Sequence, residues 1–266
     1  MSAATETPKT VQQPNRKRSA RARAMWLRMP LLPALLAVLL VTQLPFVITL
    51  YYSLFRWNLV STQEPRFVWF RNFTSVAGDP IFHKAILNTA VMTVSIVIMS
   101  LILGTLLAAG LNREFRGRAI ARTLAITPFF LMPVAAALFW KTGIYAPTFG
   151  ILGWLSDGLG FGRVNWLSQN PKLAIIILTT WQLTAFALLI IQAGMQSFPT
   201  EVNEAAAVDG AGRYFVFRHL MLPHLRPFLE LTGLLTAMYV LENFAAIALL
   251  TNGGPAYAST NLSYYV

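Results

Sequence analysis

The sequence predicts an all-α fold, a polytopic bundle of membrane-spanning helices. Hydrophobic residues make up 56% of the 266 positions, and charged residues make up only 12%. A soluble globular domain carries about twice that charged fraction. The charges are also clustered, which leaves five stretches close to the ~20 apolar residues that a membrane helix needs.

These five stretches are predicted as spans, and a polar tail precedes them. We expect the spans at about 29–55, 86–111, 119–140, 173–195 and 228–250. Residues 1–28 are rich in Ser, Thr, Gln, Lys and Arg, so this segment is predicted to be a disordered basic tail. The fifth span is unusual because it contains two glutamates, Glu230 and Glu242.

The distribution of Lys and Arg predicts the orientation of the spans. With the N-terminus in the cytoplasm, the internal segments hold 14 of these residues and the external segments hold seven. Cytoplasmic connections carry the excess of positive charge in membrane proteins. We therefore interpret the net charge of +11 as a topology signal beside anionic lipid, and we expect no nucleic-acid partner.

The composition also excludes several classes of site. The chain has no cysteine and only three histidines, none of which lies near carboxylates in a metal-like spacing, so no metal site is expected. None of the five lysines follows a glycine, which excludes the P-loop G-x4-G-K-[ST]. No constellation of nucleophile and base is present either. We therefore expect no catalytic residues and no bound cofactor.

The connection between the fourth and fifth spans, residues 196–227, lies in the cytoplasm in this topology. Its composition predicts two short helices in place of a simple turn. Thr200 is expected to cap the first helix and Gly210 to close it in a left-handed conformation. The second helix is expected to begin near Gly212 and to stop at Pro223.

A spaced motif lies within this connection. Glu204-Ala205-Ala206 is followed after three residues by Gly210, and nine residues later by Leu220-Met221-Leu222-Pro223. This closely resembles the cytoplasmic signature E-A-A-x3-G-x9-I-x-L-P of the permease subunits of ABC importers, with Leu220 at the Ile position. An isolated charged helix is otherwise most often a solvated surface.

The resemblance implies a type I ABC importer permease fold over residues 29–266, with a coupling helix that docks on a separate ATPase. ATP and Mg²⁺ would then be used by that partner. The positions that the resemblance assigns to ATPase coupling are Glu204, Ala205, Ala206, Asp209, Gly210, Leu222 and Pro223.

Other segments are similar to the maltose-type members of this family. These are Leu-Thr-Asn-Gly-Gly-Pro at 250–255 with Ser259-Thr260, Asn88-Thr89-Ala90, and Pro128-Phe129-Phe130 with Pro133. The resemblance implies import of a sugar or sugar alcohol across a bacterial inner membrane. The implied partners are a second homologous permease, two ATPase subunits and an external solute-binding protein. Members of the family usually have a sixth span after this segment. Either one follows beyond Val266, which we expect, or the protein works with a core of five spans.

Four polar residues in the spans are candidates for the substrate pathway, namely Gln182, Tyr239, Glu242 and Asn243. A carboxylate is costly in hydrocarbon, so Glu242 should face the bundle interior or water. The alternative is a Glu that is paired and holds two helices together. Gln182, Thr184 and Gln192 have the same two interpretations, as pathway groups or as contacts between helices.

A secondary transporter or channel is the main alternative function, with Glu242 as a proton or cation site. It predicts an inverted repeat or broken helices, and it leaves the helix pair in 196–227 unexplained.

Overall fold

The computed structural model describes residues 31–57, 64–160 and 162–266. The basic tail predicted for residues 1–28 lies outside these residues. The chain divides into two compact units, Met1–Val76 and Ala77–Val266. In the described ranges the regular structure is helical except for one short hairpin.

The first unit consists of a long apolar helix and a small hairpin. Helix α1 covers Leu31–Ser53, about 35 Å at 1.5 Å per residue. Strand β1, Phe55–Arg56, pairs antiparallel with β2, Arg66–Phe67, and α2 follows at Arg71–Ala77. The Asn72 amide donates to the carbonyl oxygens of Ser53 at 2.8 Å and Phe55 at 3.0 Å, which satisfies groups at the end of α1.

The second unit contains eleven helices in its described residues, two of them extended by π-helical turns at Trp140–Ile144 and Phe217–Met221. The helices are α3 Pro80–Leu111, α4 Arg118–Phe130, α5 Pro133–Phe139, α6 Ile151–Gly158, α7 Trp166–Gln169, α8 Pro171–Gln196, α9 Thr200–Val208, α10 Arg213–Val216, α11 Leu222–Leu241, α12 Ala245–Leu250 and α13 Leu262–Tyr265.

Helix α8 is the central element of this unit, because it packs against α3, α4 and α11. Its approach to α3 is close at Gly104, where a Cβ atom would lie 2.7 Å from the Cβ of Ala187. Small residues of this kind let membrane helices pack backbone to backbone. The second unit contains two clusters of buried apolar residues. One surrounds Ile96, Ile175 and Ile247, and the other surrounds Leu188 and Leu225.

The predicted membrane helix bundle is confirmed. Among the residues described, α1, α3 and α8 are long and apolar enough to cross a membrane, and they correspond to the first, second and fourth predicted spans. Helix α3 begins at Pro80, six residues earlier than expected, because Asp79 caps it and Pro80 occupies its first turn.

The third predicted span, 119–140, is not one straight helix. Helices α4 and α5 together pass the same length and hydropathy test, but they meet at an angle of 103°. The bend follows Phe130, where Leu131 and Met132 are extended and Pro133 opens the next helix. Pro133 disfavours helical geometry at Met132, which is why the helix stops there.

The fifth predicted span, 228–250, is also interrupted. Helix α11 ends at Leu241 and α12 begins only at Ala245. Because α11 opens with Pro223, His224 and Arg226, it does not pass the span test by itself. The polar residues Glu242 and Asn243 occupy the interruption.

Candidate functional site

The four candidate pathway residues gather at one cavity of about 510 Å³. Gln182, Tyr239, Glu242 and Asn243 all line it, together with Thr179 and Phe129 among others. They come from α8, from the end of α11 and from the interruption after it, so the sequence separates them by as much as 61 positions. The convergence of these side chains is therefore a product of the fold.

The cavity lies where two helices are broken. Leu131, in the bend between α4 and α5, lines it, and so does Phe244, in the interruption after α11. The Gln182 amide donates from Nε2 to the carbonyl oxygen of Leu131 at 3.3 Å, so a side chain of α8 satisfies backbone that the bend has freed. Non-helical backbone at membrane depth is tolerated where it is buried or lines such a cavity.

Asn243 connects the interruption after α11 to α8, to α12 and to Asn261 through hydrogen bonds. Its Nδ2 donates to Thr179 Oγ1 at 3.1 Å, and its Oδ1 accepts from the backbone N–H of Ala246 at 3.3 Å, at the start of α12. Its carbonyl oxygen accepts from Asn261 Nδ2 at 3.0 Å. These bonds fix the interruption between α11 and α12. Thr179, which the sequence did not single out, is the partner on α8.

Phe129 and Tyr239 form an aromatic wall of the cavity, and Phe186 packs against both of them. The ring centroids of Phe129 and Phe186 lie 5.1 Å apart, and that of Tyr239 lies 5.6 Å from Phe186 and 6.5 Å from Phe129. The two contacts of Tyr239 are edge-to-face, an arrangement that stabilises aromatic clusters. Tyr239 was predicted from the sequence, whereas the two phenylalanines lie beside it because α4 and α11 both pack against α8.

Glu242 is exposed at the C-cap of α11 and faces the cavity. In the described part of the chain its carboxylate forms no ion pair, so the alternative of a paired glutamate joining two helices is not observed there. Glu230 differs, because it accepts from Arg226 Nε at 2.7 Å one turn away on an exposed face.

Thr184 and Gln192, the other polar candidates of α8, do not reach this cavity. Gln192 is buried between helices at 4% exposure. Thr184 is buried and lines a separate, mainly apolar cavity of about 910 Å³. Gln182 and Thr184 are two positions apart, which places them on different sides of the helix.

Helix α9 carries the Glu204-Ala205-Ala206 motif. Pro199 occupies its N-cap position and no side chain caps it, so the prediction that Thr200 is the cap was wrong. Its other end agrees with the prediction. Gly210 has φ +75°, and the N–H groups of Gly210 and Ala211 donate to the carbonyls of Ala207 and Ala206 at 3.1 and 2.9 Å.

The motif residues of α9 are mostly at the surface. Glu204, Ala205, Asp209 and Gly210 are exposed, while Ala206 is buried and anchors the helix. Two large side chains beside them are also exposed, Val208 at 88% and Tyr214 at 77%. This part of the molecule therefore presents apolar and acidic groups together.

Pro223 does not end the second helix, contrary to the prediction. The chain stays helical from Arg213 through the π-helical turn to Leu241, so α10 and α11 are continuous and the expected boundary near 227 is absent. The turn widens so that the Leu222 N–H reaches the carbonyl of Phe217. A π turn relieves the missing donor and the ring clash of Pro223. Leu222 is half-buried and Pro223 exposed.

The residues that follow the Gly-Gly-Pro segment are hydrogen-bonded to side chains in the first part of α3. Asn88 Nδ2 donates to the carbonyls of Tyr257 at 3.1 Å and Thr260 at 2.9 Å, and the Leu262 N–H donates to Thr89 Oγ1 at 3.0 Å. Gly253 has φ +73°, and a Cβ there would meet Thr260 Oγ1 at 2.6 Å. Two motifs that are distant in sequence therefore form one structural unit.

Comparison with known proteins identifies the family. Residues 100–264 match the family described as the binding-protein-dependent transport system inner membrane component. The chain is 38% identical over 252 residues, 94% of its length and 80% of the relative's, to a probable ABC transporter permease protein, y4oQ, of Sinorhizobium fredii. It is 32% identical over 235 residues, 88% of its length and 79% of the relative's, to the trehalose/maltose transport system permease protein MalF of Thermococcus litoralis.

A solved structure shows the same fold. A chain of a bacterial alginate ABC transporter, solved with its alginate pentasaccharide-bound periplasmic protein, matches with a TM-score of 0.75 and 22% identity, over 93% of this chain and 83% of that one. The broken helices noted above would also suit a secondary transporter, but the family match decides against that alternative. The chain belongs to the family of inner membrane components of binding-protein-dependent transport systems, as a multi-pass ABC transporter permease and not an enzyme.

Proposed function

We propose that this permease carries a carbohydrate, a sugar or sugar alcohol, through the cavity at Gln182, Tyr239 and Glu242. An external solute-binding protein would deliver the solute. A separate pair of ATPase subunits would drive the cycle through α9, and a second homologous permease would close the open side of the cavity. The proposed location is a bacterial inner membrane, with the N-terminus in the cytoplasm.

The observation that carries the proposal is the combination of polar side chains and aromatic rings at two helix breaks. A volume of about 510 Å³ suits a mono- or disaccharide, since small-molecule sites span ~300–1,000 Å³. The carboxylate accepts hydrogen bonds from hydroxyls, and amide groups can accept or donate them. The ring of Phe129 or of Tyr239, which lie at 89° to each other, offers an apolar face to the C–H face of a sugar ring. Transporters also place substrate sites at interrupted helices.

The relatives support the carbohydrate class. One is a trehalose/maltose system permease, and the similar solved structure belongs to a transporter of alginate, a polysaccharide. Neither name assigns a particular sugar to this chain.

The exposed motif on α9 supports the ATPase-coupling role. Glu204, Ala205 and Asp209 lie at the surface beside Val208, an apolar residue that a partner would cover. The continuous helix from Arg213 to Leu241 joins this surface to Glu242 at the cavity. Movement of α9 by a partner would be transmitted along this rigid element.

Uptake of labelled carbohydrates by the assembled transporter tests the proposal. Gln182→Ala should lower the uptake efficiency, kcat/KM, by about tenfold or more, because it removes a cavity group and the bond to Leu131. Gln169→Ala, at an exposed position outside the cavity, is the matched control and should transport normally. The proposal fails if deletion of the permease leaves growth and uptake on every carbohydrate unchanged, or if both variants transport equally.

A further inference from the structure

We infer that Glu242 makes the cavity select neutral and cationic carbohydrates and reject anionic ones. The inference rests on the proposed function, because it takes the cavity as the carbohydrate site. Of the described residues that line the cavity, Glu242 is the one that carries a charge. The sign of the field inside is therefore set by this carboxylate within this chain.

The position of Glu242 in its helix strengthens that field. The residue is the C-cap of α11, and its N–H donates to the carbonyl of Met238. The C-terminal end of a helix carries the negative end of the helix dipole, where cations are favoured and carboxylates are not. Helix stability therefore does not explain a glutamate here. The carboxylate and the helix end add two negative contributions at the same point.

The hydrogen-bonding capacity at Glu242 also favours neutral and cationic ligands over anionic ones. Gln182 uses its Nε2 on the Leu131 carbonyl, so its oxygen remains as an acceptor for a ligand. Asn243 uses both ends of its amide on Thr179 and Ala246. Glu242 can only accept. Beside Glu242, a ligand must therefore bring donors, which hydroxyl and ammonium groups supply and which a carboxylate or sulfonate does not.

The negative field and the acceptor-only carboxylate of Glu242 together disfavour the binding of anionic carbohydrates. An anionic carbohydrate would place a second negative charge, with acceptor oxygens, beside Glu242. Like charges placed side by side disfavour the wrong partner. A neutral sugar avoids this cost, and an amino sugar gains an ion pair. Glu242 is therefore a specificity-determining residue that touches the substrate.

Binding of three matched monosaccharides tests the inference. The probes are glucosamine, glucose and glucuronate, which share a ring and differ in charge. Saturation-transfer NMR would measure their binding to the permease–ATPase complex in nanodiscs, without the solute-binding protein, whose own selectivity would otherwise intervene. We expect the affinity order glucosamine, glucose, glucuronate. Glu242→Gln should lower the glucosamine-to-glucuronate affinity ratio by about tenfold or more.

Glu230→Gln is the matched control. It removes a carboxylate from the same helix, at a site that is paired with Arg226 and lies outside the cavity lining. This variant should keep the wild-type order. An unchanged ratio in Glu242→Gln, or an equal change in Glu230→Gln, overturns the inference and leaves the proposed function standing. Absence of binding of all three sugars to the wild type overturns both.

Discussion

Single residues decide how closely the two longest helices of the second unit approach each other. At Gly104 on α3, a Cβ would lie 2.7 Å from Ala187 Cβ and 3.2 Å from the backbone nitrogen of Leu188 on α8. A backbone atom cannot move aside as a flexible side chain can. At Gly110, on the same helix, nothing lies within 4 Å of such a Cβ.

Gly104→Ala should therefore destabilise the protein by about 1–3 kcal/mol, the usual cost of overpacking a close contact. Gly110→Ala should be neutral or stabilising by up to about 1 kcal/mol, because alanine favours helix more than glycine does. Thermal unfolding of the two purified variants in detergent distinguishes them. Equal unfolding temperatures would contradict the close approach of α3 and α8.

Asp79 is a second residue with a local structural role, because its carboxylate stabilises the start of α3. Its Oδ1 accepts from the Ile81 N–H at 2.8 Å, and its Oδ2 accepts from the Tyr265 hydroxyl at 2.7 Å. The bond from Tyr265 is the larger of these two influences, and both hold the pKa of Asp79 below its ordinary value of 3.8. Because the folded-state pKa is the lower one, the contribution to stability is present above pH 3.8 and is lost as the pH falls through that folded value.

Tyr265→Phe should thus lower the unfolding temperature at about pH 6, and the difference from wild type should shrink as the pH is lowered to about 3. Tyr257→Phe removes a hydroxyl from an exposed ring and is the control. Thermal melts across this pH range provide the measurement. A difference that stays constant with pH would show that the bond to the Asp79 carboxylate does not act in this way.

Among the elements, α9 depends on its left-handed end. Gly210 has φ +75°, whereas Gly212, two residues later, has φ −67°, and a Cβ at either position would meet open space. The two glycines therefore differ in backbone conformation and not in packing. An L-residue in the left-handed region costs roughly 1–2 kcal/mol.

Gly210→Ala should weaken co-purification of the permease with its ATPase by about fivefold or more, because 1–2 kcal/mol changes an equilibrium by that order. Gly212→Ala should co-purify like the wild type. ATP-driven uptake measured in parallel should follow the same ranking. If both variants retain the ATPase equally, the geometry of α9 does not govern the coupling.

The elements also show which features were predictable from sequence. Span positions α1, α3 and α8 follow from runs of apolar residues that no charge interrupts, and Gly210 follows from turn chemistry. The bend after Phe130 was not predicted, since prolines are also tolerated inside membrane helices. Nor was the continuous helix through Pro223, because the π-helical turn that accommodates the proline has no signal in local composition.

The cavity was predicted in part. The cost of polar groups in hydrocarbon singled out Gln182, Tyr239 and Glu242, and they do converge. Asn243 was also singled out, but only its hydrogen bonds with Thr179 and Ala246 show that it has a structural role, which is to connect α8 to the start of α12. The aromatic wall could not be predicted, because it depends on the packing of α4 and α11 against α8, which brings Phe129 and Tyr239 beside Phe186.

In the molecule as a whole, the continuous helix from Arg213 to Leu241 connects the surface at α9 with the cavity. The central claim is that a carbohydrate is transported through that cavity. The sequence contains no cysteine, so a single introduced thiol is the one thiol of this chain, and labelling of this chain reports on that position. Gln182→Cys places that thiol in the cavity. Gln169→Cys places it at the exposed end of α7, outside the cavity lining.

The decisive measurement is the rate at which a small water-soluble thiol reagent modifies Gln182→Cys in the assembled transporter, with and without a carbohydrate that the transporter imports. Bound carbohydrate should slow the modification by about tenfold or more, since it occupies the space that the reagent must enter. The rate at Gln169→Cys should not change. Equal modification of Gln182→Cys in the presence and absence of the imported carbohydrate would contradict the claim.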